Sequence, residues 1–206
     1  MNARAPHNNN SLLIIFYRNP EIGKVKTRLA ATLGDSAALA IYLYIAAHTK
    51  SITENLAVDK AVYYSHHIDT EDNWQNAIYQ KYLQTGADLG ERMANAFMRG
   101  FQSGYRSICI IGTDCFELTS GTIEEAFSRL RSSDTVVGPA KDGGYYLLGL
   151  NAHHPDLFIN KLWSTNSVCA DTIQDFMALG LKYHELPVLT DVDEEKDLSD
   201  GLRSLL

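Results

Sequence analysis

The sequence predicts an α/β layered fold with a mixed, mainly parallel central sheet. Three observations lead there. Short apolar runs alternate with segments of helical period along most of the 206 residues. Gly- or Pro-punctuated loops follow the runs. The residues with chemical potential gather in those loops, where open α/β sheets bind ligands beyond the carboxyl ends of their strands. The length suits one sizeable core, and no repeat or linker divides it. Residues 11–206 therefore read as a single three-layer domain, and residues 1–10, MNARAPHNNN, as a disordered polar tail.

Taken in order, Ser11 to Tyr17 is β-like, and Thr27 to Leu56 carries one or two helices around a turn at Gly34-Asp35. Lys60 to Tyr64 is a second strand. Glu71 to Tyr82 reads as helix. Asp88 to Gly104 is helical, with Leu89, Met93, Ala96, Phe97 and Phe101 as its apolar stripe. Ser107 to Ile111 is a buried strand. Thr122 to Leu130 is a helix capped by Ser120 or Thr122. Thr135 to Val137 and Tyr145 to Leu150 are strands. Asp171 to Leu179 is a helix ended by Gly180, Leu181 to Leu186 a strand, and Glu194 to Leu206 a closing helix.

Composition narrows the function. A formal net charge of −7 argues against nucleic acid or an anionic membrane as the main partner. No apolar run approaches the ~18 residues of a membrane span, and no signal-peptide pattern is present. Cys109, Cys115 and Cys169 lack C-x-x-C spacing and are odd in number, so they read as reduced thiols of a cytoplasmic protein, with Cys115 a small buried hydrophobe. The pairs His66-His67 and His153-His154 lack metal-ligand spacing and read as surface residues. No G-x-S-x-G elbow, Walker motif or G-x-G-x-x-G occurs.

Against that acidic background, RNPEIGKVKTRL places Arg18, Lys24, Lys26 and Arg28 within eleven positions that hold one acid, Glu21. A strand that runs into a cationic Pro/Gly loop and then a helix suits phosphate, since ammonium, guanidinium and amide groups all favour an anion. A solvated basic loop is the plain alternative. Asp114 follows an apolar strand and Gly112, placed to hold a divalent cation or to cap a turn. Asp142-Gly143-Gly144 is a tight-turn signature, and its glycines suit a backbone that passes a ligand. TGADLGERM sets Arg92 at the start of a helix, within reach of a phosphate or a core acid. In LPVLTDVDEEKDL, Asp191 and Asp193 lie two apart. An extended segment turns them to one side to share a cation, with Asp193 expected to face the site more than Asp191; acids at a helix start are the alternative.

These segments resemble the nucleotide-diphospho-sugar transferase superfamily, of GT-A (Rossmann-like) fold. The nearest subgroup is the bacterial radical-SAM/selenodomain-associated transferases, some labelled arsenosugar glycosyltransferases. The resemblance rests on PEIGKVKTRL, DLGERM, GTDCFELT, GPAKDGGYYLLGL and DVDEEKDL, in that order, and spans Leu12 to Leu198. The first and last also resemble 2-phospholactate and molybdenum-cofactor guanylyltransferases. The resemblance implies a nucleotide over the first strand, with Lys24, Lys26 and Arg28 near its phosphates; the residue patterns themselves add Arg18, Arg92, Gly143 and Gly144 as candidate phosphate contacts. The resemblance also implies Mg²⁺ or Mn²⁺ on Asp114, with Asp193 as a second ligand; the turn pattern separately makes Asp142 a candidate catalytic contact to sugar or acceptor, or a plain turn residue. Two departures stand out. Cys115 and Phe116 follow Asp114, so no D-x-D is present, and only Gly23 lies in the first loop. The expected activity is metal-dependent transfer of a glycosyl group from a nucleotide-sugar to a small acceptor. Nucleotidyl transfer from a nucleoside triphosphate to a phosphorylated small molecule, and a non-catalytic nucleotide-binding module, are the alternatives.

Overall fold

The computed structural model describes residues 10–206, and the expected tail at residues 1–9 lies outside them. Asn10 already belongs to the fold, since its carbonyl accepts from the Arg106 and Ser107 amides at 2.8 and 3.2 Å. Seven strands form one sheet in the order β3-β2-β1-β4-β6-β5-β7. They are β1 (Ser11–Tyr17), β2 (Asp59–Tyr64), β3 (Tyr79–Leu83), β4 (Ser107–Ile111), β5 (Thr135–Pro139), β6 (Tyr145–Leu150) and β7 (Tyr183–Glu185). β6 runs antiparallel to β4 and β5, and every other pairing is parallel. β1 continues into β2 and β3 on one side and meets β4 on the other, so the strand order reverses between β1 and β4. Such a switch point leaves a crevice outside the strand ends.

Alternation along the strands builds the layers. In β1, Leu13, Ile15 and Tyr17 face one core, with Tyr42 and Ala46 of α2 (Asp35–Thr53) and Ile123 and Ala126 of α4 (Ser120–Arg129). Leu12 and Ile14 face the other, with Met93 and Phe97 of α3 (Leu89–Gln102) and Phe176 of α5 (Val168–Ala178). One face of each strand thus meets one helical layer, as a pleat with period two requires. A third cluster joins Leu29 of α1 (Thr27–Leu33) and Ile41 and Ile45 of α2 to Val192, Leu198 and Leu202, which fastens the C-terminal segment beside the first loop.

Three expectations are corrected. Glu71 to Tyr82 is no helix. Asp72 caps its own turn by accepting from the Trp74 amide at 2.9 Å, takes the Lys81 ammonium at 2.7 Å, and so holds a loop over buried Trp74. The chain then forms the edge strand β3, whose Lys81 and Gln80 suit a sheet edge. Glu194 to Leu206 is also not one helix. Asp197 Oδ2 folds back to accept from the Asp193 and Glu194 amides at 3.1 and 2.8 Å, which caps the start of a short 3₁₀ turn (Glu195–Asp197), and the extended backbone of Leu198 ends it. Ser199 then caps a separate α6 (Asp200–Arg203). In α3, Leu89 is 42% exposed rather than part of the stripe; Gly90 takes the buried place against Trp163. Smaller shifts affect ends: Thr119 caps α4 by accepting from the Thr122 amide, α5 starts at Val168, and β7 is three residues long.

Candidate functional site

Each segment with candidate site residues reaches the same rim of the sheet. Lys26 leaves the loop after β1, Asp114 the end of β4, Asp142 the β5–β6 turn, and Asp191 and Asp193 the stretch after β7. Antiparallel β6 begins at this rim, which is why a turn before it joins loops that follow parallel strands.

The centre is Lys26. Its side chain is 4% exposed, contacts Asp114 Oδ1, and lies 3.4 Å from Asp193 Oδ1. Both acids remain nearly half exposed, so the ammonium lies beneath them. Burial alone pushes the lysine pKa down, but the charge and hydrogen bond of Asp114, then those of Asp193, outweigh it and hold the pKa above the ordinary value. Lys26 adopts a left-handed backbone, φ 48° and ψ 47°, directly before α1. That conformation is unusual for a residue with a side chain and is kept where surroundings over-determine it. α1 is only seven residues long, so a helix dipole contributes little at this loop.

Asp191 is a different kind of acid. Buried Val192 anchors the extended segment in the third cluster, which sets Asp191 and Asp193 on the opposite side. Asp191 Oδ1 is buried without a hydrogen-bond partner. Burial, then the charges of Asp114 and Asp142, push its pKa up to about 7, against a smaller opposing pull from Lys26. Its neighbour Cys115, 4% exposed and raised by burial to about 12, remains a thiol rather than a nucleophile.

The remaining cations are less committed. Arg28 Nη1 is 3.7 Å from Asp193 Oδ2 and is 65% exposed. Lys24 pairs with Glu21 at 2.6 Å on the surface, and Arg18 reaches the Lys24 carbonyl at 3.4 Å. Arg92 donates Nε to the Gly86 carbonyl at 3.2 Å, within its own loop. Asp88 caps α3, accepting from the Glu91 amide at 2.8 Å, so much of the DLGERM segment has a local structural role. Asp142 Oδ1 accepts from the Gly144 amide at 2.9 Å, an Asx turn.

Gly143 has φ +90°, and an added Cβ would lie 1.9 Å from the Asn166 carbonyl oxygen. The close approach this glycine permits is to the protein's own backbone, where its carbonyl accepts from the Cys169 amide at 2.9 Å. Gly143→Ala is expected to destabilise the fold by about 2–3 kcal/mol, combining an unfavourable backbone with a displaced neighbour. Urea unfolding measures this, and a midpoint equal to that of the parent would refute it.

Two positioning residues carry no motif in the sequence. The Tyr42 hydroxyl donates to the Arg18 carbonyl at 2.6 Å, accepts from the Arg18 amide at 3.1 Å, and lies 3.3 Å from Thr113 Oγ1. One buried group thereby fixes the cationic loop against the Asp114 loop. Asn19, 2% exposed, accepts from the His66 amide and Ser65 hydroxyl and donates to the His67 carbonyl at 3.0 Å. It binds the β1 and β2 loops together beside a cavity of about 200 Å³ that also meets Tyr17, Glu21 and Asp69. The signals were present, a tyrosine on the apolar face of a helix and an Asn-Pro pair, but neither carries its partner in sequence. His66 and His67 are exposed as expected, whereas His153 and His154 are half-buried and His153 Nε2 is enclosed.

A family model described as uncharacterized protein conserved in bacteria (DUF2064) matches residues 48–165, more than half of the chain. The chain belongs to the DUF2064 family. No curated protein matches it. Among solved structures, it is similar to a protein of Desulfovibrio desulfuricans G20 provisionally described as a nucleotide-diphospho-sugar transferase. The two share 28% identity over 95% of this chain and 90% of that one, with a TM-score of 0.84. Fold likeness extends to the inositol-1-phosphate CTP transferase of T. maritima (12% identity, 98% and 96% covered, TM-score 0.55). It extends also to the 4-diphosphocytidyl-2C-methyl-D-erythritol synthase of Anaerococcus prevotii DSM 20548 (8%, 96% and 98%, 0.58). This DUF2064 chain therefore has the expected fold, with a mixed, mostly parallel seven-stranded sheet. No helix among its described residues is long and apolar enough to cross a membrane.

Proposed function

We propose that this chain is a metal-assisted transferase that takes a glycosyl group from a nucleoside diphosphate sugar to a small acceptor. The observation that carries this is the buried Lys26 ammonium between Asp114 and Asp193 at the switch point, with Arg28 at its edge. The arrangement gathers cationic side chains and acids where a diphosphate and its counter-ion would meet. The similarity to the Desulfovibrio protein supports the donor class.

The donor set fits a hard divalent ion. Asp114, Asp191 and Asp193 offer oxygen only, and one oxygen of Asp191 is buried without a partner. Among the described residues no three such side chains yet converge to hold a metal; Lys26 lies between two of them. Asp114 and Asp193 would hold Mg²⁺ or Mn²⁺, with Asp191 alongside. When bound, the ion would offset negative charge that develops on a leaving diphosphate. Lys26 and Arg28 would bind the phosphate oxygens and stabilise the same charge. Tyr42 and Asn19 hold the loops in register. Asp142, in the β5–β6 turn at the same rim, would meet the sugar or the acceptor.

A specific observation favours nucleotidyl transfer as a second reading. Phe116, where a D-x-D motif would have its second acid, packs against His48 and Tyr44 with ring centroids 4.8 and 5.7 Å apart. Thermal shift with nucleoside triphosphates, nucleoside diphosphates and nucleotide-sugars, with and without Mn²⁺, tests the first reading. A ligand that binds only the folded state at 100 times its Kd adds about 2.7 kcal/mol. Glycosyl transfer predicts the largest Mn²⁺-dependent shift with a nucleotide-sugar and release of a nucleoside diphosphate. Preference for a triphosphate with release of pyrophosphate would select nucleotidyl transfer instead. Absence of a shift with every nucleotide would reject both.

A further inference from the structure

Lys26 has more contacts than a phosphate ligand requires. Its ammonium lies under Asp114 and Asp193 while both carboxylates stay 48% and 43% exposed. An ammonium has three donors and one charge. Here it faces two acids directly, and Asp191, on the same extended segment as Asp193, adds a buried carboxylate oxygen with no hydrogen-bond partner. The Arg28 guanidinium near Asp193 is largely in solvent and leaves Asp191 Oδ1 without a partner. The cluster is thus held together by one cation yet left under-neutralised. A doubly charged ion with several coordination places would serve it better than the lysine does.

We infer that Lys26 is a place-holder for the divalent cation, resting on the metal-assisted reading above: it braces the Asp114–Asp193 pair in the free protein, is displaced by the incoming ion, and then serves the nucleotide phosphates. Lys26 has the geometry for this exchange. It is the residue immediately before α1, so a change of its own backbone and side-chain torsions re-aims the ammonium without moving a strand. Its left-handed backbone is held by the surroundings, and release from the acids removes one of those restraints. The ammonium cannot remain against both carboxylates when an ion enters between them, because two cations then compete for the same oxygens.

The consequence is coupling. Without nucleotide, an entering ion must expel Lys26 into a site with no anion to receive it. With a diphosphate present, the displaced ammonium gains a partner. Cation and nucleotide therefore strengthen each other, and by linkage the factor is the same in both directions. Removal of the ammonium removes the competitor and, with it, the share of the coupling that passes through Lys26.

The experiment is a Mn²⁺ titration followed by the spin signal of the free ion, on parent and Lys26→Met, with and without a nucleoside diphosphate. The parent is expected to bind Mn²⁺ weakly alone and more tightly with the nucleotide. Lys26→Met is expected to bind Mn²⁺ alone on the order of tenfold tighter than the parent, with a smaller further gain from nucleotide than the parent shows, within the usual range of site coupling. A second measurement uses the unaltered protein. Reductive methylation read by peptide mass spectrometry should find Lys26 protected without metal, reactive with Mn²⁺ alone, and protected again when nucleotide is added. Equal Mn²⁺ affinity in parent and variant, or a Lys26 reactivity that Mn²⁺ leaves unchanged, overturns the exchange but leaves a metal-assisted transferase standing. No Mn²⁺ binding by either protein, even with nucleotide, overturns both.

Discussion

Asp114→Asn is expected to lower turnover by about 10²–10³-fold or more and to abolish the Mn²⁺-dependent part of nucleotide binding. That is the scale on which loss of one aligned electrostatic group at a site of developing charge is felt. Asparagine keeps an oxygen that accepts from the Lys26 ammonium, so the buried lysine is not stranded. The Asp114 backbone carbonyl still accepts from the Val192 amide at 2.9 Å, which holds the two loops together. The side chain is also 48% exposed, so the fold should survive, with an unfolding midpoint near that of the parent. Initial rates and Mn²⁺ titration on the same preparation decide the matter. Parent-like turnover would remove Asp114 from the chemistry. Loss of folding would show that its contact with Lys26 is structural.

The predicted roles differ in how much of them the sequence carries. Four strands were legible because each has a period-two or fully apolar run that needs no distant partner to be recognised: SLLIIFY, KAVYY, SICII and YYLLGL all became strands, whereas the polar edge strand β3 was not legible. The gathering of Lys26, Asp114 and Asp193 followed from topology, since loops after parallel strands share a rim. Failure came where side chains compete with the backbone locally. Asp72 binds a nearby amide and breaks one segment whose propensity is helical, and the extended backbone at Leu198 and Ser199, where Ser199 caps a new helix, divides the other. Long-range fastening was also invisible. Asn19 meets residues 46 to 48 positions away, and Tyr42 meets Thr113 across 71. The difference between Asp191 and Asp193 belongs to the same class. Spacing puts both on one side of an extended segment, but only packing tells that Asp191 sinks beside Asp114 and Asp142 while Asp193 stays at the mouth.

That difference gives the second large effect, in stability. The Asp191 pKa of about 7 in the folded chain stands well above 3.8 for the free side chain. Between pH 4 and pH 7 the folded protein therefore keeps a proton that the unfolded chain has released. Stability falls as pH rises through this window, and the cost is complete above pH 7. Asp191→Asn removes the charge and so the cost. The gain over the parent should be near zero at pH 4 and about 2–4 kcal/mol at pH 8, since each tenfold change in proton affinity is worth about 1.36 kcal/mol. For a chain of this size that is a rise in Tm of roughly 4–16 °C. A divalent cation works in the opposite direction, since a positive ion beside the carboxylate favours its charged form. Saturating Mn²⁺ should therefore stabilise the parent at pH 8 more than it stabilises Asp191→Asn, and narrow the gap between them. Urea unfolding from pH 4 to pH 8.5, with and without Mn²⁺, provides the comparison. Parallel stability curves for parent and variant would show that Asp191 is ionised and adequately solvated throughout. A gap that Mn²⁺ leaves unchanged would place the ion away from Asp191, on Asp114 and Asp193 alone.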